Sequence, residues 1–166
     1  WVLKCPQHLE QLPVLQRVFP DATVAITHRD PVAVIQSAVT MLAYGQRINR
    51  DSVQLEALLC YWVERIEHLL RACVRDRAIL PASQSLDVPF QVLIADDISM
   101  VAQIYQKAGL EMTADAHKSL GQFVDQQQGE YGRVIYDLQG QFGIAPEALR
   151  ERFGFYLDAF PAIGER

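Results

Sequence analysis

Hydrophobic residues recur along much of the chain at the period of an α-helix. The clearest helical pattern lies between residues 52 and 77, where the apolar positions are Leu55, Leu58, Leu59, Trp62, Ile66, Leu69, Leu70 and Cys73. This spacing predicts an amphipathic helix whose apolar face belongs to the core. Similar but weaker patterns predict helices over residues 8–19, 31–44, 98–108, 113–126 and 146–160. Pro13 is expected to kink the first of them.

Three short apolar segments predict β-strands. Residues 22–27 are rich in β-branched side chains, and residues 1–4 and 90–94 have the length of buried strands. Residues 81–89 are predicted to form a loop. Because helices separate the strands and no hairpin turn joins them, we expect parallel pairing. The prediction is a single α/β domain over residues 1–166, with many helices around a parallel sheet.

Composition and charge limit the classes of protein to which this chain can belong. The 166 residues are 50% hydrophobic and 21% charged, which is typical of a folded domain. The net charge of -5 excludes a general basic surface for nucleic acid. The three cysteines include no CxxC pair, and no apolar run reaches the ~20 residues that span a bilayer. A soluble protein of the reducing cytoplasm is predicted.

Candidate chemistry is concentrated after the strand at residues 22–27. Asp30 and Pro31 are typical of a helix start, because aspartate caps backbone amides and proline suits the first helical position. Arg29 lies just before them, and Ser37 lies two helical turns further on. A guanidinium fork and a hydroxyl suit a phosphate group. The alternative is that Arg29 pairs with a carboxylate and that Ser37 is only a small residue at a helix contact.

Two adjacent carboxylates, Asp96 and Asp97, are the only residues that suggest a metal. They point in different directions and lack further ligands, so a helix cap or loop role is predicted, and no metal site is expected.

The order of motifs at the start of the chain is distinctive. The motif Lys4-Cys5-Pro6 ends the first predicted strand, Phe19-Pro20-Asp21-Ala22 precedes the second, and His28-Arg29-Asp30-Pro31 with Ser37 follows it. This order resembles the sulfotransferase superfamily, whose pattern is K-x-P, F-P-D-A and H/L-R-D-P followed by serine. The resemblance covers most of the chain and is most specific over residues 4–37.

The resemblance implies a P-loop-like α/β fold that transfers a sulfuryl group from 3′-phosphoadenosine-5′-phosphosulfate to a hydroxyl or amine. It implies that Arg29 and Ser37 bind the 3′-phosphate and that Lys4 stabilises charge on the transferring group. Arg133, in a glycine-flanked loop, corresponds to a basic residue that related enzymes bring over the nucleotide, and the alternative is an exposed, solvated loop arginine. The acceptor class, whether small molecule, glycan or lipid, is left open.

Two histidines compete for the role of general base. Related enzymes carry K-x-H, whereas His8 follows Lys4 by four residues. His8 is the candidate, and the alternative is a solvent-facing histidine at a helix start. His28 precedes Arg29 on a strand, so alternation turns it to the other face. A packing or hydrogen-bonding role is therefore predicted for His28.

No glycine occurs before Gly45, so the chain contains no phosphate loop in its first quarter. The family's 5′-phosphosulfate loop would precede Trp1, and the fold is therefore expected to be incomplete at its N-terminus. An uncovered sheet edge would then pair with a second copy or with sequence outside this chain. The alternative function is a non-catalytic nucleotide-binding or oligomerisation module on the same scaffold.

Overall fold

Two parallel strands form the sheet in the described part of the chain. The computed structural model describes residues 1–127, 140 and 142–163. Strand β1 covers Val24–His28 and strand β2 covers Ser85–Pro89, with Val24 opposite Ser85 and His28 opposite Pro89. Helices account for most of the other described residues. The protein is therefore α/β, as the sequence predicts, and its sheet is small.

Eight α-helices and three short 3-10 helices lie in the described part of the chain. The α-helices are α1 (Leu12–Val18), α2 (Pro31–Asn49), α3 (Leu55–Asp76), α4 (Phe90–Ala95), α5 (Asp97–Lys107), α6 (Ala114–Gln127), α7 (Pro146–Arg152) and α8 (Gly154–Ala159). The 3-10 helices are Pro6–Glu10, Arg77–Ile79 and Pro161–Ile163. Helices α3, α5 and α6 confirm the predicted segments within a few residues. None of the described helices is long and apolar enough to cross a bilayer.

Two aspartates cap helices as predicted. The Asp30 carboxylate accepts a hydrogen bond from the Val32 amide at 2.9 Å, and Pro31 occupies the first turn of α2. The Asp96 carboxylate accepts from the Ser99 amide at 3.0 Å at the start of α5. The Asp30 cap therefore fixes where α2 begins relative to the end of β1. At its other end, helix α2 continues to Asn49, beyond the predicted end near residue 44.

Two of the three predicted strands are wrong. Residues 1–4 form no regular element, and Trp1 and Val2 are almost fully exposed. No strand lies beside this segment in the described structure, so nothing supplies the hydrogen bonds that a strand needs. Residues 90–94 belong to helix α4, and β2 lies in the predicted loop. A short apolar run fits a strand or a helix equally well, and pairing with β1 selects the preceding residues.

Two predicted helices are interrupted. The segment 8–19 contains a 3-10 helix followed by α1, with a break at Gln11. Pro13 lacks an amide hydrogen and its ring would clash with the Leu9 carbonyl, which prevents one continuous helix. The segment 146–160 breaks at Phe153, which separates α7 from α8. This break lets Phe153 point into the core and Tyr156 approach the sheet.

The apolar side chains form two clusters. The larger lies between α2, α3 and the end of the chain and contains Val32, Ile35, Val39, Leu59, Val63, Ile66, Leu149 and Phe153. The smaller joins α1, β1 and α3 through Leu12, Ile26, Cys73 and Leu80. Burial raises the pKa of the Cys73 thiol to about 11, which keeps it protonated and unreactive. Helix α3 contributes to both clusters and thereby connects α2 with β1.

Candidate functional site at the carboxyl edge of the sheet

The two strands end side by side, and the residues after them meet. His28 ends β1 opposite Pro89, which ends β2. Arg29 and Phe90 follow, and the Arg29 guanidinium carbon lies 4.6 Å from the centre of the Phe90 ring. A cation over an aromatic face is stabilised by the ring quadrupole. This contact holds the guanidinium at the carboxyl edge of the sheet, where α/β proteins bind their ligands.

Among the described residues, no carboxylate neutralises the Arg29 guanidinium. No Asp or Glu oxygen of the described residues lies within 4.0 Å of it, although Asp30 is its neighbour in sequence. Asp30 instead caps α2, and its second oxygen lies 4.0 Å from Arg150. Arg29 is partly exposed. No described carboxylate therefore competes with an external anion for its hydrogen-bond donors.

Ser37 lies on α2, about 9 Å along the helix axis from Pro31 at ~1.5 Å per residue. It is two residues from both Ile35 and Val39, which are fully buried in the larger cluster. Two residues correspond to roughly 200° of helical rotation, so Ser37 lies on the face of α2 turned away from that cluster. Its side chain is half-buried.

His28, the last residue of β1, connects this strand to β2 and α8. Its side chain is 1% exposed, and its Nε2 lies 2.8 Å from Asp87 Oδ1 on β2. Because a carboxylate only accepts, Nε2 carries the hydrogen and Nδ1 accepts from the Tyr156 hydroxyl of α8 at 2.7 Å. Arg77 donates two hydrogen bonds to Asp87, at 2.8 and 2.9 Å. The structure confirms the hydrogen-bonding role predicted for His28.

The electrostatics of this group keep His28 neutral. Burial lowers the pKa of His28, and the hydrogen bond with Asp87 only partly opposes that effect. Burial by itself would raise the pKa of Asp87, but hydrogen bonds from Arg77 and His28 outweigh it and hold that pKa below its usual value. Burial raises the pKa of Tyr156. The group at neutral pH is thus a carboxylate, a neutral imidazole and a phenol.

We expect the stability of the protein to fall as the pH drops below about 6.5, the pKa of an unfolded histidine. The folded-state pKa of His28 is lower, so the unfolded chain takes up the proton first and gains stability from it. One such group gives a slope of at most about 1.4 kcal/mol per pH unit. Urea unfolding between pH 7.5 and pH 5 measures it.

The matched variants for this slope are His28→Gln and His117→Gln. His117 lies exposed on α6, so its replacement should leave the slope as it is, whereas His28→Gln should remove it. A slope that persists in His28→Gln would show that another group titrates.

The segment that contains Lys4 and His8 is anchored to α3 at its C-terminal end, through Glu10. Arg65 of α3 donates two hydrogen bonds to Glu10, and His68 lies 3.0 Å from the same carboxylate. The Arg65 hydrogen bonds keep the pKa of Glu10 below its usual value. Glu10 thereby attaches the 3-10 helix Pro6–Glu10 to α3.

Lys4 and His8 stand apart from this anchor. Lys4 is exposed and His8 half-buried, and neither side chain makes a hydrogen bond or ion pair with a described residue. The structure therefore brings Arg29 and α2 together but does not bring Lys4 or His8 into contact with them.

One predicted site residue, Arg133, lies outside the described residues. Other residues near the site are not predicted by the sequence. Arg150 of α7 approaches the start of α2, and no motif marks it, since only the packing of α7 on α2 brings it there. Asp87 and Tyr156 lie 59 and 128 residues from His28. In the described part of the chain, no three His, Cys, Asp or Glu side chains gather as a metal site.

Comparison with protein families gives a match to the part of the chain that contains both strands and the start of α2. The model of a sulfotransferase family matches residues 1–115, which is well over half of the chain. The chain belongs to this sulfotransferase family. The matched region includes Lys4, His8, Arg29 and Ser37, whereas Arg150 and Tyr156 lie beyond it.

Solved sulfotransferases share the fold. The crystal structure of sulfotransferase STF9 from Mycobacterium avium superposes with a TM-score of 0.79 at 23% identity, over 96% of this chain and 41% of that one. Sulfotransferase STF1 from Mycobacterium tuberculosis gives a TM-score of 0.72 at 26% identity, over 93% and 39%. The chain thus spans about two fifths of the length of these proteins. No curated protein sequence matches it.

Proposed function

We propose that this sulfotransferase-family chain binds the 3′-phosphate of 3′-phosphoadenosine-5′-phosphosulfate and takes part in sulfuryl transfer to a hydroxyl or amine. The observation that carries the proposal is the Arg29 guanidinium, fixed over Phe90 at the carboxyl edge and lacking a carboxylate partner among the described residues. Burying a cation's donors against a phosphate gives charge-assisted hydrogen bonds. Membership of the family supports the same assignment.

The four candidate site residues have distinct roles in this proposal. Arg29 offers two parallel donors to the phosphate oxygens, and Ser37 adds one neutral donor from α2. In the transfer, the bond between sulfur and the 5′-phosphate oxygen breaks while a bond from sulfur to the acceptor oxygen or nitrogen forms. Lys4 stabilises the negative charge that develops on the departing oxygen, and His8 removes the acceptor proton. The acceptor is proposed to be a small molecule, glycan or lipid.

The test of the proposed function is calorimetric titration of the chain with two nucleotides. Adenosine 3′,5′-bisphosphate carries the 3′-phosphate, and adenosine 5′-monophosphate lacks it. The proposal predicts clearly tighter binding of the bisphosphate, because only that nucleotide reaches Arg29 and Ser37. Equal affinities, or no binding of either nucleotide, would refute it.

We expect Lys4→Ala to reduce sulfate transfer by at least about tenfold, since a lost hydrogen bond to a charged group costs ~1.5–3 kcal/mol. The affinity for adenosine 3′,5′-bisphosphate should change less than twofold to threefold (roughly 0.5 kcal/mol). A transfer assay with labelled donor and a panel of alcohols and amines measures the first quantity. Lys118→Ala, an exposed lysine on α6, is the control. Unchanged transfer in Lys4→Ala would remove Lys4 from the mechanism.

The second candidate is a non-catalytic module that binds the nucleotide or forms oligomers. The exposed, irregular segment that contains Lys4 favours it, because nothing in the described structure holds that lysine near Arg29. The exposed side chains of Trp1, Val2 and Leu3 favour association with a second copy. Nucleotide binding without transfer, together with a dimer by light scattering, would select this candidate.

A further inference from the structure

One buried imidazole fastens the end of β1 to two other elements. His28 reaches Asp87 of β2 at 2.8 Å and Tyr156 of α8 at 2.7 Å. Its ring also packs on Phe160, with the ring centres 4.2 Å apart. Asp87 is fixed in turn by both donors of Arg77. We name the four residues Arg77, Asp87, His28 and Tyr156 the histidine clamp.

The clamp does not include Arg29, which follows the last residue of β1 and contacts Phe90. Successive side chains of an extended chain point to opposite faces, so we infer that His28 and Arg29 diverge. His28 is 1% exposed and both of its ring nitrogens are occupied. It therefore has no access to a ligand, and any effect on the site must pass through the backbone.

The backbone alone is a weak support for the site. Strands β1 and β2 share five residue pairs, and an isolated two-stranded sheet is marginally stable. The last pair of the ladder, His28 with Pro89, lies next to Arg29 and Phe90. The ladder ends at this pair, and the hydrogen bond between His28 and Asp87 joins the two strands there.

We propose that His28 is a positioning residue: the histidine clamp keeps the carboxyl ends of β1 and β2 in register, and this holds the Arg29 guanidinium over Phe90 in the orientation that receives a phosphate. The effect on nucleotide binding rests on the proposed function. The effect on the Arg29–Phe90 contact does not, because that contact is within the chain.

The proposal is tested with Tyr156→Phe, which keeps the ring and removes the hydroxyl that donates to His28. The matched control is Ser85→Ala. The Ser85 hydroxyl is also buried and donates to the Pro81 carbonyl at 2.8 Å. Ser85 begins β2 and lies at the opposite end of that strand from Pro89. Both variants lose one buried hydrogen bond, but only Tyr156→Phe weakens the clamp. Asp87→Asn is a second clamp variant, in case Tyr156→Phe leaves His28 in place.

The first readout is the NMR spectrum of the Arg29 side chain in the nucleotide-free protein. The Phe90 ring current shifts these signals, and the proposal predicts that both clamp variants move them towards the values of an unstacked arginine. The second readout is the ratio of affinities for adenosine 3′,5′-bisphosphate and adenosine 5′-monophosphate, which should fall about tenfold if Arg29 loses a hydrogen bond to the phosphate. Ser85→Ala should leave both readouts unchanged.

The outcomes separate the two hypotheses. If the unmodified chain shows no preference for the 3′-phosphate, the proposed function fails, and the NMR signals still decide the positioning role. If the Arg29 signals stay the same in both clamp variants, or move equally in Ser85→Ala, the positioning role is refuted. A signal shift in the clamp variants alone supports it.

Discussion

Replacing Arg29 with alanine is expected to weaken binding of adenosine 3′,5′-bisphosphate by roughly ten- to a hundredfold. Hydrogen bonds to a charged group contribute about 1.5–3 kcal/mol, and each 1.4 kcal/mol is about tenfold in Kd. Binding of adenosine 5′-monophosphate should change little, because that nucleotide has no group for Arg29 to hold. Calorimetric titration of the variant with both nucleotides measures the two effects.

Two variants control for this result. Arg47→Ala removes an exposed arginine from the last turn of α2, about 24 Å from Pro31 at ~1.5 Å per residue, and should leave both affinities unchanged. Arg29→Lys keeps the charge but loses the planar fork, so its affinity should lie between those of the unmodified chain and Arg29→Ala. Equal losses for both nucleotides in Arg29→Ala would mean that Arg29 supports the fold and not the phosphate.

Phe153→Ala is expected to destabilise the protein by about 3–5 kcal/mol, the range for truncating a buried phenylalanine. Phe153 is fully buried in the cluster that joins α2, α3 and α7. The melting temperature should fall by roughly 6–20 °C for a domain of this size. Differential scanning calorimetry measures the change.

The control for this effect is Phe123→Ala. Phe123 lies on α6 with its side chain 59% exposed, so its removal should change the stability by about 0.5 kcal/mol or less. If Phe153→Ala is no more destabilising than Phe123→Ala, then the end of the chain does not belong to the core as the structure has it.

Local sequence signals predict the parts of this fold that local chemistry decides. The period of apolar residues gives α3, and the Asp30-Pro31 pair gives the start of α2. Together with the β-branched run before it, that pair places Arg29 after a strand. The predicted position of Arg29 follows from capping chemistry and strand propensity within a few residues of the chain.

Strand β2 needs information that its own residues do not contain. Residues 85–89 contain a charge and end in proline, whereas residues 90–94 are apolar and fit a strand better by propensity. The structure makes the first segment a strand because it pairs with β1, some 60 residues away in sequence. Tertiary pairing thus overrides local preference, as it does for short ambiguous segments in general.

The partners of the site residues are also set by long-range packing. Phe90 becomes a platform for Arg29 only because the two strands end together, and Tyr156 reaches His28 only because the chain breaks at Phe153. Strand alternation predicts that His28 faces away from Arg29, but it does not predict which groups His28 meets. The sequence therefore identifies the residues that are proposed to bind the ligand, and not the residues that position them.

The most direct test of the account is a crystal structure of this chain with adenosine 3′,5′-bisphosphate. The account predicts that the 3′-phosphate lies at the carboxyl edge of the sheet, within hydrogen-bond distance of both the Arg29 guanidinium and the Ser37 hydroxyl, with Arg29 still stacked on Phe90. A nucleotide bound elsewhere, or a 3′-phosphate that contacts neither side chain, would contradict it.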